Sequence, residues 1–270
     1  MSSPIWTPDA LSSEATKRGG KYGKYGLDGK YWRMVEAQHR VSTLKVVDTL
    51  DEQAVLEDLI EETKPQIPLE CRHLHYLLAT PFRYGSIYPH GSRFRRSGRT
   101  KGVYYAAETI MTAVSEMAFY RLLFFAESPA TPWPRDAAEY TAFAAAIRST
   151  KVIDLTRPPL DRDAAAWTHP TDYAACQNIA DVARQAGLEA IRYRSVRDPK
   201  GANVALLVCS GFAKPKPLEP HTWRIRLGAS GVQAICEFPQ KRIEFSRTAF
   251  AADPRLDGLR WERGRYPAGA

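Results

Sequence analysis

Cysteine is scarce in this 270-residue chain, and its four copies, Cys71, Cys176, Cys209 and Cys236, lie far apart without a Cys-x-x-Cys pair. That spacing argues against a zinc knuckle, a thioredoxin-like dithiol or a disulfide framework, and a reducing cytosol is the expected compartment. Histidine is sparse too. Of the six, only His73 and His75 are close, and residues two apart on a helix face different ways, so no catalytic metal is expected. No apolar run approaches the ~18–20 residues that cross a bilayer, and Met1-Ser-Ser-Pro-Ile-Trp-Thr-Pro lacks the apolar core of a secretory signal. The expectation is a soluble cytoplasmic protein with no membrane partner. A Gly-x-Gly-x-x-Gly turn after a strand, a Walker loop, His-Glu-x-x-His and Gly-x-Ser-x-Gly are all missing, which removes several common nucleotide-binding and hydrolase designs.

What is present is ordinary globular material. Hydrophobic residues make up 44% and charged residues 25%, enough for a full core without staples. Lys and Arg number 38 against 30 Asp and Glu, and 38 − 30 gives +8. The excess is spread out, so it is weak support for an anionic partner. Arg18 to Gly26 is a Gly/Lys/Tyr repeat without hydrophobic periodicity, read as a flexible arm. Thr49 with Glu52 forms a capping box before the stripe Val55, Leu56, Leu59, Ile60, and Pro65 ends that helix. Pro68 opens a second helical segment, and Pro81-Phe82-Arg83-Tyr84 reads as extended. Val103 to Ala106 is a strand, followed by Thr109 as N-cap of a helix reaching about Phe125. Thr171 to Gly187 is a further helix, and short strands cluster between Tyr140 and Phe245. Strands and helices do not alternate regularly, so the expected class is α+β, a mixed, mainly antiparallel sheet flanked by helices. The expected division is an extension over 1–67, a catalytic domain over 68–248 and a tail over 249–270.

The chemistry-bearing residues fall in order: Phe82-Arg83-Tyr84, Ser92-Arg93-Phe94-Arg95-Arg96-Ser97-Gly98-Arg99, Val103-Tyr104-Tyr105-Ala106, and Thr112-Ala113-Val114-Ser115-Glu116. Downstream comes Tyr193-Arg194-Ser195-Val196-Arg197-Asp198-Pro199, leading through Gly201-Ala202-Asn203 into an apolar strand. This set resembles the RES-domain family, the toxin half of RES–Xre toxin–antitoxin modules, named for an arginine, a glutamate and a serine. The resemblance spans roughly Leu69 to Cys236. It implies a fold related to ADP-ribosyltransferases, with NAD+ as substrate rather than cofactor. The implied reaction cleaves the nicotinamide–ribose bond with phosphate or water as acceptor. It also implies an Xre-type antitoxin as partner, contact with nucleic acid only through that antitoxin, and is compatible with a homodimer. Glu116, Tyr105 and Arg83 take the catalytic positions, and Arg93, Arg95, Tyr104 and Ser195 the substrate-binding ones. The family's common Gly-Arg-Trp-Asn is here Ser92-Arg93-Phe94-Arg95, so the choice among Arg93, Arg95 and Arg96 stays open, as does that between Tyr104 and Tyr105.

These residue types suit that reaction. An arginine's planar fork holds pyrophosphate oxygens with paired, charge-assisted hydrogen bonds. A tyrosine face beside the cationic nicotinamide ring supplies stacking and cation–π attraction of about 0.5–2 kcal/mol. Nicotinamide departs neutral and needs no proton, so one carboxylate suffices to steady the oxocarbenium-like sugar. Ser195 has no recognisable His/Asp pair to activate it and reads as a hydrogen-bond partner, not a nucleophile. Taken singly, Glu116 is a solvent-facing or paired helix acid, Tyr105 a strand core residue and the arginines a solvated loop. Two rivals follow: a mono-ADP-ribosyltransferase of the same fold, and a non-enzymatic nucleic-acid-binding module using the basic loop and arm.

Overall fold

In the computed structural model, residues 6–19, 26–37, 46–84, 91–98 and 100–265 are described. Residues 20–25 of the Gly/Lys/Tyr repeat and Arg99 of the basic loop lie outside the described residues. Nine strands form one sheet: β1 (Leu27–Glu36), β2 (Tyr104–Ala107), β3 (Ala138–Ser149), β4 (Val152–Asp154), β5 (Ala190–Arg194), β6 (Ala202–Leu206), β7 (Leu218–Gly228), β8 (Gly231–Cys236) and β9 (Lys241–Ser246). Their order across the sheet is β4-β5-β6-β2-β1-β3-β7-β8-β9. Among the described residues six α-helices flank it: α1 (Pro8–Gly19), α2 (Leu50–Glu62), α3 (Tyr76–Arg83), α4 (Ile110–Glu127), α5 (Ala164–Trp167) and α6 (Ala174–Gln185). Among the described strands only the β4–β5 pairing is parallel, and its connection runs through α5 and α6, as a parallel pair requires a long crossover. The class is the α+β one anticipated.

Strand registers separate the two faces, because directly paired residues share a side and neighbours along a strand alternate. Tyr105 pairs with Ala205 and Ala205 with Ile191, while Asn203 pairs with both Ala107 and Tyr193. These residues share one face. On it α4 covers the core of Phe119, Trp133, Tyr140 and Trp223, and α6 covers that of Ile153, Ile179, Ile191 and Ala205. Tyr104 and Ala106 point the other way, into a core with Leu78, Phe82 and Phe143 beneath α3. Thr109 caps α4 as anticipated, its hydroxyl accepting from Thr112 N, and α6 stops before Gly187, whose φ of +67° is the left-handed conformation glycine adopts freely.

Several expectations are corrected. β1 lies inside the sheet between β2 and β3, pairing with β3 from Leu27 to Glu36, so the fold does not begin at residue 68. Its Asp28, Gly29 and Lys30 masked the alternation. The described part of the expected tail, up to residue 265, packs on the core: Phe250 and Leu259 are buried with Phe119 and Trp133. Pro81 to Arg83 completes α3 instead of running extended. The capping box on α2 forms, yet its apolar stripe faces water, with Val55 59% and Leu59 54% exposed and only Gln53 buried. Cys71 and Cys209, 138 positions apart, form a disulfide with Cα atoms 5.6 Å apart, a proximity that spacing could not reveal. Among the described residues no helix is long and apolar enough to cross a membrane.

Candidate active site

Glu116 projects from the second turn of α4 toward strands β5 and β6. Its Oε1 accepts two hydrogen bonds, from Ser195 Oγ at 2.7 Å and from Asn203 Nδ2 at 2.8 Å. Among the described residues no donor reaches Oε2. The Ser195 hydroxyl in turn accepts from the backbone N–H groups of Arg197 (3.1 Å) and Asp198 (3.0 Å). With its lone pairs so occupied, its single proton is committed to the carboxylate, which fixes Ser195 as a donor and leaves it no part as a nucleophile. Both Ser195 and Asn203 are 4% exposed, so these bonds operate away from competing water.

The loop that carries Ser195 is stitched to the start of α4. Thr112 Oγ1 donates to Asp198 Oδ2 at 2.7 Å, Ser195 N to Gly201 O at 3.0 Å, and Gly201 N to Asp198 O at 2.8 Å. Gly201 is required by space: a Cβ there would collide with the Thr112 hydroxyl and sit 2.5 Å from Asp198 Oδ2. The strand pair β5–β6 and the helix α4 therefore arrive at Glu116 in a fixed relation.

Beside this carboxylate lies Tyr193, whose hydroxyl is held well above the usual phenol range by burial, then by the charge of Glu116, and also by Tyr105, with Arg93 opposing. Glu116, Tyr105 and Arg93 all lie within electrostatic reach of Tyr193. Tyr105 anchors the Ser92–Arg95 turn, its hydroxyl within 2.8 Å of Ser92 Oγ and accepting from Phe94 N at 3.0 Å. Gln177 of α6 donates to the carbonyls of Ser92 and Arg95 and holds the same turn from the other side. From it Arg93 reaches the carbonyls of Trp167 (2.7 Å) and His169 (3.0 Å), with its guanidinium 4.7 Å from the centre of the Tyr173 ring. Among the described residues no carboxylate pairs with Arg93.

The sequence profile of the RES domain matches residues 67–227, more than half of the chain. The chain belongs to the RES domain family. A crystal structure of the M. tuberculosis MbcT-MbcA toxin-antitoxin complex is similar over 90% of this chain and 96% of that one, at 12% identity and a TM-score of 0.38. No curated protein matches the sequence.

Of the site residues expected for this RES chain, Glu116 and Ser195 are in direct contact, and Tyr105 is hydrogen-bonded to the turn that carries Arg93. Arg83 joins neither group: its guanidinium is engaged by Glu61 of α2 and the Pro65 carbonyl, on the α3 side. Tyr104 is fully buried on the opposite face of the sheet, beneath Arg33, because adjacent strand residues alternate. Arg95 donates to the carbonyls of Tyr84 and Thr100, and Arg96 is spent on Asp181 and Asn178 of α6. Arg93, by contrast, is held against Trp167, His169 and the Tyr173 ring. Sequence reasoning missed Asn203, Tyr193 and Tyr173. A signal for Asn203 existed: a lone amide within the apolar run Ala202 to Leu207 must find a buried partner. Among the described residues no group of three or more His, Cys, Asp or Glu side chains is placed to hold a metal.

Proposed function

We propose that this RES-domain protein is an NAD+-degrading toxin enzyme that cleaves the nicotinamide–ribose N-glycosidic bond, with phosphate or water as acceptor, and is neutralised by an Xre-type antitoxin. The observation that carries the reading is the two-donor clamp on Glu116 Oε1, made by the buried Ser195 and Asn203. A carboxylate so held is fixed in orientation, and its second oxygen has no donor among the described residues. In the proposed reaction that oxygen faces the ribose, accepts from a hydroxyl and offsets the positive charge that grows as the glycosidic bond opens. Such preorganised contact is worth several kcal/mol because no solvent has to reorganise around it. Arg93 holds the pyrophosphate and Tyr105 keeps the Arg93 turn in place. Nicotinamide leaves as a neutral molecule, so the mechanism needs no general acid.

Purified protein is expected to release nicotinamide from NAD+, faster with phosphate if phosphate is the acceptor. Glu116→Gln keeps the shape, removes the charge and is expected to lower kcat by at least about a hundredfold. Undiminished release by that variant would refute the assignment. Mass spectrometry of a treated lysate separates the protein-modifying rival: ADP-ribose adducts without bulk NAD+ loss would favour it.

A further inference from the structure

The walls around Glu116 have a common anchor beyond the matched RES region. Asp253, in the segment after β9, is 2% exposed and receives two arginines at once. Arg197 Nη1 lies 2.6 Å from Oδ2. Arg255 donates from Nη2 to Oδ2 at 2.8 Å and from both Nε and its backbone N to Oδ1 at 3.0 Å. The two guanidinium groups flank one ring: Arg197 is 3.4 Å and Arg255 5.1 Å from the centre of Phe119. Phe119 follows Glu116 by three residues and so shares its side of α4.

Each arginine leads to a different wall. The backbone N–H of Arg197 donates to Ser195 Oγ, the group that clamps Glu116. Arg255 donates to the Pro170 carbonyl at 3.0 Å and lies beside the Tyr173 hydroxyl, whose ring carries Arg93. We infer that Asp253 is a positioning residue, tying the Ser195 loop and the Arg93–Tyr173 wall together so that the carboxylate and the phosphate-binding arginine keep a fixed separation. This rests on the reading of Glu116 as the catalytic carboxylate. A network of three charges, two of them buried, is a poor way to gain stability, since apolar residues of like volume do as well or better, whereas it fixes geometry well.

Two variants and two readouts test it. Arg255→Gln, at a partly exposed position, is expected to fold normally and to raise KM for NAD+ about tenfold with kcat within about twofold. Asp253→Asn also frees Arg197 and is expected to lower kcat about tenfold besides. Hydrogen exchange read on peptides spanning 193–203 and 167–174 should quicken in both segments for Asp253→Asn, and only in the second for Arg255→Gln. Unchanged exchange, or folded variants with parental KM and kcat, would overturn the inference. So would a fall in activity matched by the fraction unfolded, with KM constant. If the parent protein releases no nicotinamide, the functional reading fails separately and the exchange pattern alone decides: quickened segments uphold the anchoring role of Asp253, protected ones overturn it.

Discussion

Replacing Ser195 with alanine separates what the hydroxyl does for the fold from what it does for Glu116. The hydroxyl accepts two backbone N–H groups, at 3.1 and 3.0 Å, and donates once, at 2.7 Å, from a position 4% exposed. Alanine leaves two buried amides unmet, at about 1–3 kcal/mol each before water enters, so a loss of roughly 2–4 kcal/mol is expected. In a chain of this size that corresponds to a melting temperature lower by about 4–12 °C. For catalysis, a charge-assisted hydrogen bond contributes about 1.5–3 kcal/mol, and because Asn203 still holds Oε1 the lower end applies. That is about a tenfold drop in kcat. The assay is nicotinamide release at saturating NAD+, well below the variant's melting temperature, alongside thermal denaturation. A variant that melts early yet turns over at the parental rate would show that Ser195 only shapes the loop, and would remove the clamp from the mechanism.

Asn203→Asp sets a second carboxylate against Glu116 Oε1, and the pair then shares a proton with a raised apparent pKa. Activity should survive at low pH, where the introduced acid still donates, and fall as pH rises through neutrality; a pH–rate profile identical to the parent's would refute the contact. Gly201→Ala drives a methyl into Thr112 and Asp198 and should cost about 1–3 kcal/mol by urea titration, with kcat reduced as well. An unchanged midpoint would mean the loop yields without cost. The Asp253 carboxyl, although burial opposes it, is held by the hydrogen bonds of Arg255 and by Arg197 at about 2, against an ordinary 3.8. Its folded pKa is the lower one, so its contribution is present above about pH 4 and disappears as pH falls toward 2. The difference is roughly 2 kcal/mol. Urea titrations at pH 5 and pH 2 should show that extra loss in the parent and not in Asp253→Asn; parallel losses would refute it.

How far the residues announced this arrangement depends on whether the deciding interaction was local. The capping box at Thr49, the Thr109 cap and the Gly187 stop are fixed within a few residues, and each appears where expected. Glu116 and Ser195 were legible through their order along the chain and meet in space, although 79 positions separate them. What sequence reasoning could not supply was side. Tyr104 and Tyr105 are chemically alike, and one residue of strand period sends the first under α3 and the second toward Glu116. Arg83, Arg93, Arg95 and Arg96 are equally alike on paper; what separates them is the acceptors each meets, and for Arg83, Arg93 and Arg96 those come from distant segments. The Cys71–Cys209 pairing and the Asp253 network have no local signature at all.

The matched RES segment holds the carboxylate, its two donors and the phosphate-binding candidate, but it does not close the structure around them. β2 carries Tyr105 and pairs with β6 on one side; on the other it needs β1, through Trp32 opposite Ala107, and β1 lies wholly before residue 67. Without β1 the edges of β2 and β3 would stand open, and the face that sets Tyr105 beside Tyr193 would lose its continuation toward α4. At the other end, β8, β9 and the Asp253 segment follow residue 227 and complete the core under Phe119, three residues from Glu116. On the proposed reading, a carboxylate that meets a sugar within a fraction of an ångström gains nothing from donors on mobile supports. The flanking segments then count toward the site as much as the motif residues do, because they supply the strands and core on which Glu116 and its donors are mounted.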